Sequence, residues 1–283
     1  MSVDHYENFP VASLLCPARL RPAVRAIYAF ARTADDIADE GDAAADQRRA
    51  ELARFRSALH AALEGSPSPE WPQVFGPLAK AIDRHRLPTQ LFDDLLDAFV
   101  QDCSQPQYRD RSQLLDYCRR SANPIGRLLL ALYEVRDAES LAQSDAICSA
   151  LQLINFWQDP SVDLARGRNY FPAADARRHG LTLDGLKSGR DDAATQALLR
   201  DLVGWAEGLM LRGAPLALRL PGRIGWELRL VIQGGLRILE KIAAMQFRTL
   251  SQRPTLGRRD WALLLWRAAR MRSHQAPPGW APR

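Results

Sequence analysis

Cysteines are few in this sequence, and long apolar runs are absent. The chain has four cysteines in 283 residues, scattered with no CxxC pair, so neither a zinc site nor a disulfide framework is indicated. No stretch approaches the ~18 consecutive apolar residues of a membrane-spanning helix. Residues 1–10 also lack the basic start and apolar run of a signal peptide. We therefore expect a cytoplasmic protein that is soluble or held peripherally at the inner face of the membrane.

Several catalytic signatures are missing as well. A di-iron bundle needs Glu-x-x-His pairs, and no glutamate stands three residues before any histidine of this chain. The histidines are His5, His60, His85, His179 and His274. The G-x-S-x-G elbow of an α/β-hydrolase is absent. The G-x-G-x-x-G fingerprint and a strand to carry it are absent too, so we expect no nicotinamide cofactor.

Apolar residues instead recur at helical spacing through most of the chain, as in Val24, Ile27, Tyr28 and Ala31, whereas strand alternation is hard to find. Breaks rich in proline or glycine divide the chain into about eight to ten helices, and none is long enough to be a domain linker. The sequence predicts an all-α bundle that forms a single domain over residues 1–283, with a frayed tail at 275–283. The predicted breaks lie at 65–72, 86–88, 105–108, 166–172, 180–190, 213–225 and 254–257.

The basic residues suggest an anionic partner. Lys and Arg outnumber Asp and Glu by 38 to 33, and the excess is concentrated between Arg248 and Arg283. An anionic ligand or membrane surface fits this pattern better than nucleic acid, because leucine and tryptophan interleave the arginines and no nucleic-acid motif accompanies them. The segment from Trp261 to Arg272 has the composition of a helix at a membrane interface. A terminal helix docked on the core would have the same composition.

The first group of candidate site residues is acidic. Asp35, Asp36 and Asp39 lie in one predicted helix with Tyr28 and Arg32, and helical spacing places them along one stripe. Carboxylates one turn apart repel one another unless a cation lies between them, and oxygen ligands suit Mg²⁺, which takes a few carboxylates plus substrate phosphate. A solvated acidic helix end would give the same pattern, so this motif alone does not decide.

The second group is Gln152, Asn155, Asp159 and Asp163, spaced 3, 4 and 4 apart on one helical face. Its context, LQLINFWQD, is apolar, and unpaired polar groups are costly to bury, so we expect a buried stripe that binds a ligand. Two acidic stripes on separate helices of a bundle can face each other across a cavity and hold the metal ions of a diphosphate from both sides. Together the two motifs predict a metal–diphosphate site.

The loop RGRNYFP at 166–172 follows the second motif. Arg168 and Tyr170 in this loop can bind phosphate oxygens through charge-assisted hydrogen bonds. An ordinary basic loop is an equally good interpretation of this segment by itself.

These motifs resemble those of squalene and phytoene synthases. TADDIADE (33–40), LQLINFWQDPSVD (151–163) and GRNYFP (167–172) match the paired aspartate signatures of that family in order and spacing. YCRRSANPIG (117–126) resembles the family segment whose small residues let a helix bend beside the substrate channel. VDHYENFPVASLL (3–15) is similar to the bacterial hydroxysqualene synthases of hopanoid pathways. The resemblance runs over nearly the whole chain and implies an isoprenoid-synthase bundle with a central cavity.

The resemblance also implies roles for individual residues. Asp35, Asp36 and Asp39 would hold metal from one side and Asn155, Asp159 and Asp163 from the other, with about three Mg²⁺ ions on the diphosphate. Catalytic roles fall to Tyr28, Arg32, Arg168 and Tyr170, and substrate binding falls to His5, Gln152, Arg253 and Gly126. The rings of Phe30, Phe156 and Trp157 could stabilise a carbocation, although such aromatics are more often plain core.

Three departures from the family pattern stand out. Tyr6 and Asn8 occupy positions where related synthases carry serines that touch a diphosphate, so a second diphosphate pocket is in doubt. Gly235 stands roughly where many members have a tyrosine, which can change how the cation is quenched. Pro160 lacks a backbone donor and should kink the helix directly after Asp159, changing the direction of Asp163.

Members of this family join two isoprenoid diphosphates head to head through a cyclopropyl intermediate. For this chain we expect the second half reaction, in which presqualene diphosphate ionises, rearranges and is quenched by water to hydroxysqualene. A head-to-head condensing enzyme is the nearest alternative, a terpene cyclase is more distant, and a non-catalytic isoprenoid-binding subunit represents a different class. The expected partners are an isoprenoid diphosphate and other enzymes of the pathway, with no nucleic acid.

Overall fold

The computed structural model describes residues 16–66, 69–104 and 107–271, and these residues fold into helices. No strand is found in these ranges, where the only sheet-like feature is an isolated bridge between Gln107 and Asn169. The prediction of an all-α fold is confirmed. The helices are α1 (Arg21–Asp39), α2 (Ala45–Leu63), α3 (Pro72–His85), α4 (Gln90–Asp102), α5 (Arg111–Ser121), α6 (Asn123–Leu132), α7 (Ala138–Gln158), α8 (Pro160–Ala165), α9 (Ala173–Arg178), α10 (Leu183–Leu186), α11 (Ala193–Gly213), α12 (Leu216–Arg219), α13 (Gly222–Ala244) and α14 (Arg258–Arg270).

The long helices correspond to those expected from the sequence, and the short ones do not. Four helices, α8, α9, α10 and α12, have only four to six residues, and two of these, α10 and α12, lie inside segments predicted as breaks. The bend predicted in the segment 117–126 is confirmed, because α5 ends at Ser121 and α6 begins at Asn123. The buried Asn123 carboxamide oxygen accepts a hydrogen bond from the Ser149 hydroxyl at 2.9 Å, which fixes the start of α6 against α7.

The described residues group into two compact units, the first within Met1–Ser104 and Leu128–Arg136. In this unit α1 packs against α2, α3 and α4 through a cluster of phenylalanine rings. The Phe30 ring centroid lies 5.4 Å from that of Phe55 and 5.2 Å from that of Phe92, and all three side chains are fully buried. Phe30 is therefore a core residue, and its packing fixes which side of α1 faces away from the core.

The second unit lies within Gln105–Arg127 and Asp137–Arg283, and its largest helix pairing is between α7 and α11. These helices approach closely at Gly213, where an added Cβ would lie 2.6 Å from the Gln143 carbonyl oxygen and against the Ile147 side chain. Helix α13 packs on both α7 and α11, and α14 packs on α13. The single domain expected over residues 1–283 stays a prediction, and the tail at 275–283 lies outside the described residues.

Candidate active site

The first acidic motif occupies the C-terminal end of α1, in the first unit. Asp35, Asp36 and Asp39 share the face of α1 opposite its buried apolar stripe. The Arg32 guanidinium lies among the carboxylates: Nη1 is 3.3 Å from Asp35 Oδ2, while Nη2 is 2.7 Å from both Asp36 Oδ1 and Glu40 Oε1. One guanidinium therefore contacts three carboxylates on this face of α1.

The position of these acids on α1 is electrostatically unfavourable. The last turns of a helix carry partial negative charge, which disfavours carboxylates there, and the last turn of α1 contains no basic residue. Arg48 from α2 donates to the carbonyl oxygens of Ile37 at 3.3 Å and Gly41 at 2.6 Å, which satisfies backbone groups at this end. A bound cation would stabilise carboxylates at this end of a helix.

Tyr28 lies one turn before Arg32 on the same face of α1. Its side chain is 37 % exposed, so this face of α1 is partly accessible to solvent at Tyr28. The grouping of Tyr28, Arg32 and the three aspartates expected from helical spacing is thus present in α1.

The second acidic motif is split between two helices of the second unit. Helix α7 ends at Gln158, Asp159 adopts φ −143° and ψ 46°, and α8 begins at Pro160. The predicted kink is confirmed, since proline cannot donate its nitrogen to the preceding turn. Asp163 therefore lies in a helix separate from that of Gln152 and Asn155, and the single continuous stripe does not form.

The expectation of a buried polar stripe is wrong for Asn155, whose side chain is exposed. The apolar neighbours do not bury Asn155, because Ile154, Phe156 and Trp157 all point into the core of the second unit. Asn155 therefore lies on the other face of α7. Gln152, Asp159 and Asp163 are half-buried. This exposure leaves the oxygens of the motif accessible to a ligand.

Asp159 is paired with Arg253, which sequence spacing alone could not reveal. The Arg253 Nε atom lies 3.0 Å from Asp159 Oδ2, with the Asp159 side chain 16 % exposed. The residue before Asp159 contacts the residue after Arg253: the buried Gln158 side chain donates from Nε2 to the Pro254 carbonyl oxygen at 2.7 Å. Two adjacent residues at the end of α7 thereby hold two adjacent residues of the segment before α14.

We predict that Gln158 positions Arg253. Exchanging Gln158 for methionine (Q158M) keeps the volume of the side chain and removes its donor, so the Pro254 carbonyl loses its partner and the Arg253 segment can shift. Misplacement of a binding group by about 1 Å costs up to about a hundredfold in rate. We expect kcat/KM for presqualene diphosphate, the substrate expected from the sequence, to fall about tenfold in steady-state assays. Residues that act as a unit are non-additive, so Q158M should have little further effect in an R253M background. If Q158M lowered kcat/KM equally in the wild type and in R253M, Gln158 would not act through Arg253 and its role would be purely structural.

The loop 166–172 is held in place by its backbone. The Arg168 amide donates to the Asp163 carbonyl at 2.8 Å, and the Ala173 amide just after the loop donates to the Tyr108 carbonyl at 2.8 Å. Tyr170 is buried, with its ring stacked 3.7 Å from that of Phe156. The loop conformation is therefore fixed, with Arg168 half-buried beside the second motif in the sequence.

The rings of Phe156 and Trp157 pack against other aromatic side chains. Both are buried, Phe156 stacks on Tyr170, and Trp157 stacks on Phe171 at 5.6 Å. These contacts place both rings in the aromatic core of the second unit.

Two glycines singled out in the sequence lie where helices pack closely. A Cβ at Gly126 would lie 2.5 Å from both the Cys148 sulfur and the Ser144 hydroxyl oxygen. A Cβ at Gly235 would lie 2.9 Å from Met210 Cε and 3.1 Å from Ile154 Cδ1. The apolar groups around Gly235 occupy the volume that a tyrosine side chain would need, so the departure from the family pattern is built into the packing.

Cys118 lies in the core of the second unit. It is fully buried, and burial raises the pKa of its thiol to about 12, which makes it an unreactive core residue.

His5, Tyr6, Asn8 and Arg272 lie outside the described residues, so their predicted roles stay predictions.

The two motifs fit Mg²⁺ better than a metal with an all-protein cage. Within the described ranges, no three Asp, Glu, His or Cys side chains converge closely enough to form such a cage. Mg²⁺ does not need one, since it is held by one or two carboxylates, waters and substrate phosphates. Each motif offers hard carboxylate oxygens, and in each an arginine, Arg32 or Arg253, already contacts a carboxylate as a cation would. The contact between Gln158 and Pro254 joins residues 96 apart in the chain, so the local sequence could not indicate it.

The chain is similar to known proteins over most of its length. The family model described as squalene/phytoene synthase matches residues 3–260. The chain is 32% identical over 240 residues to a hydroxysqualene synthase of Sinorhizobium fredii, covering 84% of this chain and 79% of the relative. It is 29% identical over 265 residues to a phytoene synthase of Thermus thermophilus, covering 93% and 88% of the two chains.

A solved structure is similar over most of its length. The crystal structure of squalene synthase HpnC from Alicyclobacillus acidocaldarius superimposes with a TM-score of 0.79 at 36% sequence identity, covering 86% of this chain and 90% of that one. The family match spans both aspartate motifs, the loop 166–172 and the Arg253 segment. The chain therefore belongs to the squalene/phytoene synthase family.

Proposed function

We propose that this chain ionises presqualene diphosphate in a Mg²⁺-dependent reaction and directs water to the resulting cation, forming hydroxysqualene and diphosphate. The observation that carries the ionisation is the cluster of carboxylates on one face at the C-terminal end of α1, where Arg32 contacts Asp35, Asp36 and Glu40. The choice of substrate is supported by the likeness to curated hydroxysqualene synthases over most of the chain.

The metal would be held by the acidic residues of the two motifs. Bound Mg²⁺ would neutralise the charge that grows on the departing diphosphate. The proposed ligands are Asp35, Asp36, Asp39, Asn155, Asp159 and Asp163.

The basic residues of the motifs would assist departure of the diphosphate. The carbon–oxygen bond to the diphosphate breaks with its electron pair on the leaving oxygen, and Arg32, Arg168 and Arg253 would donate hydrogen bonds to the anion. Guanidinium groups suit this role because they are always charged and bind two oxygens in a fixed geometry. Arg32 and Arg253 would exchange a carboxylate partner for a phosphate oxygen when substrate binds.

The last step consumes one water molecule. The cyclopropylcarbinyl cation rearranges, the water oxygen forms the new carbon–oxygen bond, and a proton is released. No reductant is required for this outcome, in line with the absence of a G-x-G-x-x-G fingerprint. Squalene synthases bind their reductant without that motif, so its absence does not by itself choose between water and hydride.

Two alternatives remain to be tested against this proposal. A head-to-head condensation of farnesyl diphosphate is favoured by relatives named phytoene synthase and presqualene diphosphate synthase. A non-catalytic isoprenoid-binding subunit is disfavoured by the intact acidic motifs. We also propose, as separate features, a membrane contact through Trp261 to Arg272 and an association with other enzymes of the pathway.

The substrate is tested by incubating the purified chain with Mg²⁺ and no nicotinamide, separately with farnesyl diphosphate and with presqualene diphosphate. Mass spectrometry of the products is expected to show hydroxysqualene from presqualene diphosphate and no consumption of farnesyl diphosphate. Consumption of farnesyl diphosphate would establish the condensing alternative. Inertness towards both, with retained binding, would favour the non-catalytic subunit.

A further inference from the structure

Helix α14 turns an apolar face away from the protein. Trp261, Leu265 and Trp266 are 48%, 53% and 47% exposed, although apolar side chains of this size are normally buried. The side of α14 that packs inward carries Asp260, Leu264 and Ala268, all buried. On this helix the solvent face is therefore the more aromatic one, which marks it as a binding surface.

The orientation of α14 is fixed by ion pairs on its inner side. Asp260 Oδ1 lies 2.7 Å from Arg237 Nε, and Asp260 Oδ2 lies 2.5 Å from Lys241 Nζ, both on α13. Burial raises the pKa of Asp260, but the hydrogen bonds from Lys241, Arg237 and the Gly257 amide outweigh this effect and hold the pKa well below its usual range. At neutral pH the Asp260 carboxylate is thus charged and anchored.

A third ion pair joins α14 to α13 further along the helix and opposes its rotation. Arg267 Nη1 lies 2.5 Å from Glu240 Oε1, again on α13. Turning Trp261 and Trp266 inward would break these pairs and leave the buried Asp260 carboxylate without its partners, which is strongly unfavourable. The ion pairs with α13 therefore hold the apolar face of α14 towards solvent.

Basic residues border the same face. Arg258, Arg259 and Arg270 are exposed, and the Arg270 guanidinium lies 4.5 Å from the centroid of the Trp266 ring. Asp260 is the one acidic residue between Arg258 and Arg270, and it is neutralised by its ion pairs. The surface, defined here as the α14 face of Trp261, Leu265, Trp266 and these three arginines, therefore combines apolar side chains with positive charge.

We propose that the α14 face binds the surface of an anionic lipid bilayer. Tryptophan prefers the boundary between lipid headgroups and acyl chains, and arginines beside it attract anionic headgroups. A helix of 13 residues is about 20 Å long, and no helix within the described ranges is both long and apolar enough to cross a membrane. The contact is accordingly one of a helix lying in the plane of the interface.

Charge complementarity favours a lipid surface over a second copy of the chain. A twofold interface repeats the same residues from both partners, so pairing two α14 faces would bring Arg258, Arg259 and Arg270 of one copy against the same arginines of the other. Anionic headgroups instead neutralise these charges. The residues that follow α14 are another possible cover, and the experiment below distinguishes all three.

The test is flotation of the full chain, without substrate, on vesicles of phosphatidylcholine with and without about one third phosphatidylglycerol. We expect the wild type to float with the anionic vesicles, much less with phosphatidylcholine alone, and less as salt screens the charges. A triple variant, W261S/L265S/W266S, should lose binding at least tenfold. Failure of the wild type to float with anionic vesicles, or equal flotation of the triple variant, would overturn the proposal.

Charge-matched variants separate local attraction from net charge. Each basic residue near an anionic surface strengthens binding about fivefold, so R259S/R270S should weaken flotation about 25-fold. R54S/R84S removes the same charge from exposed positions on α2 and α3 and should leave flotation nearly unchanged. Equal losses of flotation in the two double variants would refute a specific α14 contact. A wild-type chain that dimerises and does not bind vesicles, with the dimer abolished in W261S/L265S/W266S, would also refute it. A truncation after Met271 that creates vesicle binding absent from the full chain would identify the following residues as the cover instead.

This test is independent of the proposed reaction. The Asp36→Asn variant, D36N, which is expected to be inactive, should float like the wild type because its substitution lies outside α14. A chain that floats but does not turn over presqualene diphosphate would therefore contradict the proposed function and leave the α14 proposal standing.

Discussion

Substituting asparagine for either Asp36 or Asp159 is expected to reduce turnover of presqualene diphosphate about a thousandfold, an effect typical of removing a group that stabilises transition-state charge. Each exchange conserves the shape of the side chain and removes one negative charge. If the carboxylates bind Mg²⁺, the loss should appear mainly in kcat and in the Mg²⁺ concentration needed for half-maximal rate. Steady-state kinetics over a range of Mg²⁺ concentrations measures both.

Stability measurements distinguish this loss from unfolding. The Asp36 side chain is 39% exposed, so D36N should change the free energy of unfolding by less than about 0.5 kcal/mol. D159N weakens the pair with Arg253 and should cost about 1 kcal/mol. As a matched control, D184N changes an exposed aspartate whose carboxylate contacts Lys187, and it should retain full activity. Wild-type turnover in D36N or D159N would refute the metal-binding role.

Since both motifs are assigned to one reaction, the double variant offers a further check. The losses of D36N and D159N should combine to much less than their product, because groups that act as a unit are non-additive. Multiplicative losses would indicate that the two motifs act separately.

Replacing Gly213 by alanine, G213A, is expected to destabilise the second unit by about 3 kcal/mol, because the new methyl group collides with backbone that cannot move aside. The Cβ would lie 2.6 Å from the Gln143 carbonyl oxygen and 3.0 Å from the Ile147 amide nitrogen, where α11 meets α7. At about 2–4 °C per kcal/mol for a chain of this size, Tm should fall by roughly 6–12 °C. Thermal unfolding followed by circular dichroism measures the change.

The matched control lies in the same helix. A Cβ at Gly208 of α11 meets nothing within 4 Å, and alanine is favoured over glycine in a helix interior by about 0.8–1.0 kcal/mol. G208A should therefore keep or raise Tm. If G213A were as stable as the wild type, α7 and α11 could not approach each other as closely as described.

The helices and the acidic groups could be predicted from local sequence because they depend on local periodicity. The 3.6-residue repeat that buries Phe30 also places Asp36 on the opposite face of α1. The short helices α10 and α12 could not be predicted, since four residues carry too little periodicity. The kink after Asp159 could be predicted because proline acts through its own backbone.

The parts of the site that were missed depend on packing between distant segments. Nothing local to Arg253 indicates that it pairs with Asp159, or that Gln158 holds the carbonyl of Pro254. The exposure of Asn155 was mispredicted because its apolar neighbours all turn to the other side of α7. The family resemblance implied that Arg253 is a site residue, and the structure shows that it pairs with Asp159.

The central claim is that water quenches a cation formed from presqualene diphosphate, and isotope labelling tests it most directly. The chain is incubated with presqualene diphosphate, Mg²⁺ and H₂¹⁸O, without nicotinamide, and the product is analysed by mass spectrometry. We predict hydroxysqualene that carries ¹⁸O in its hydroxyl group, with no product when the metal is chelated. Hydroxysqualene without the label, or turnover that is unaffected by chelation of the metal, would contradict the proposed function.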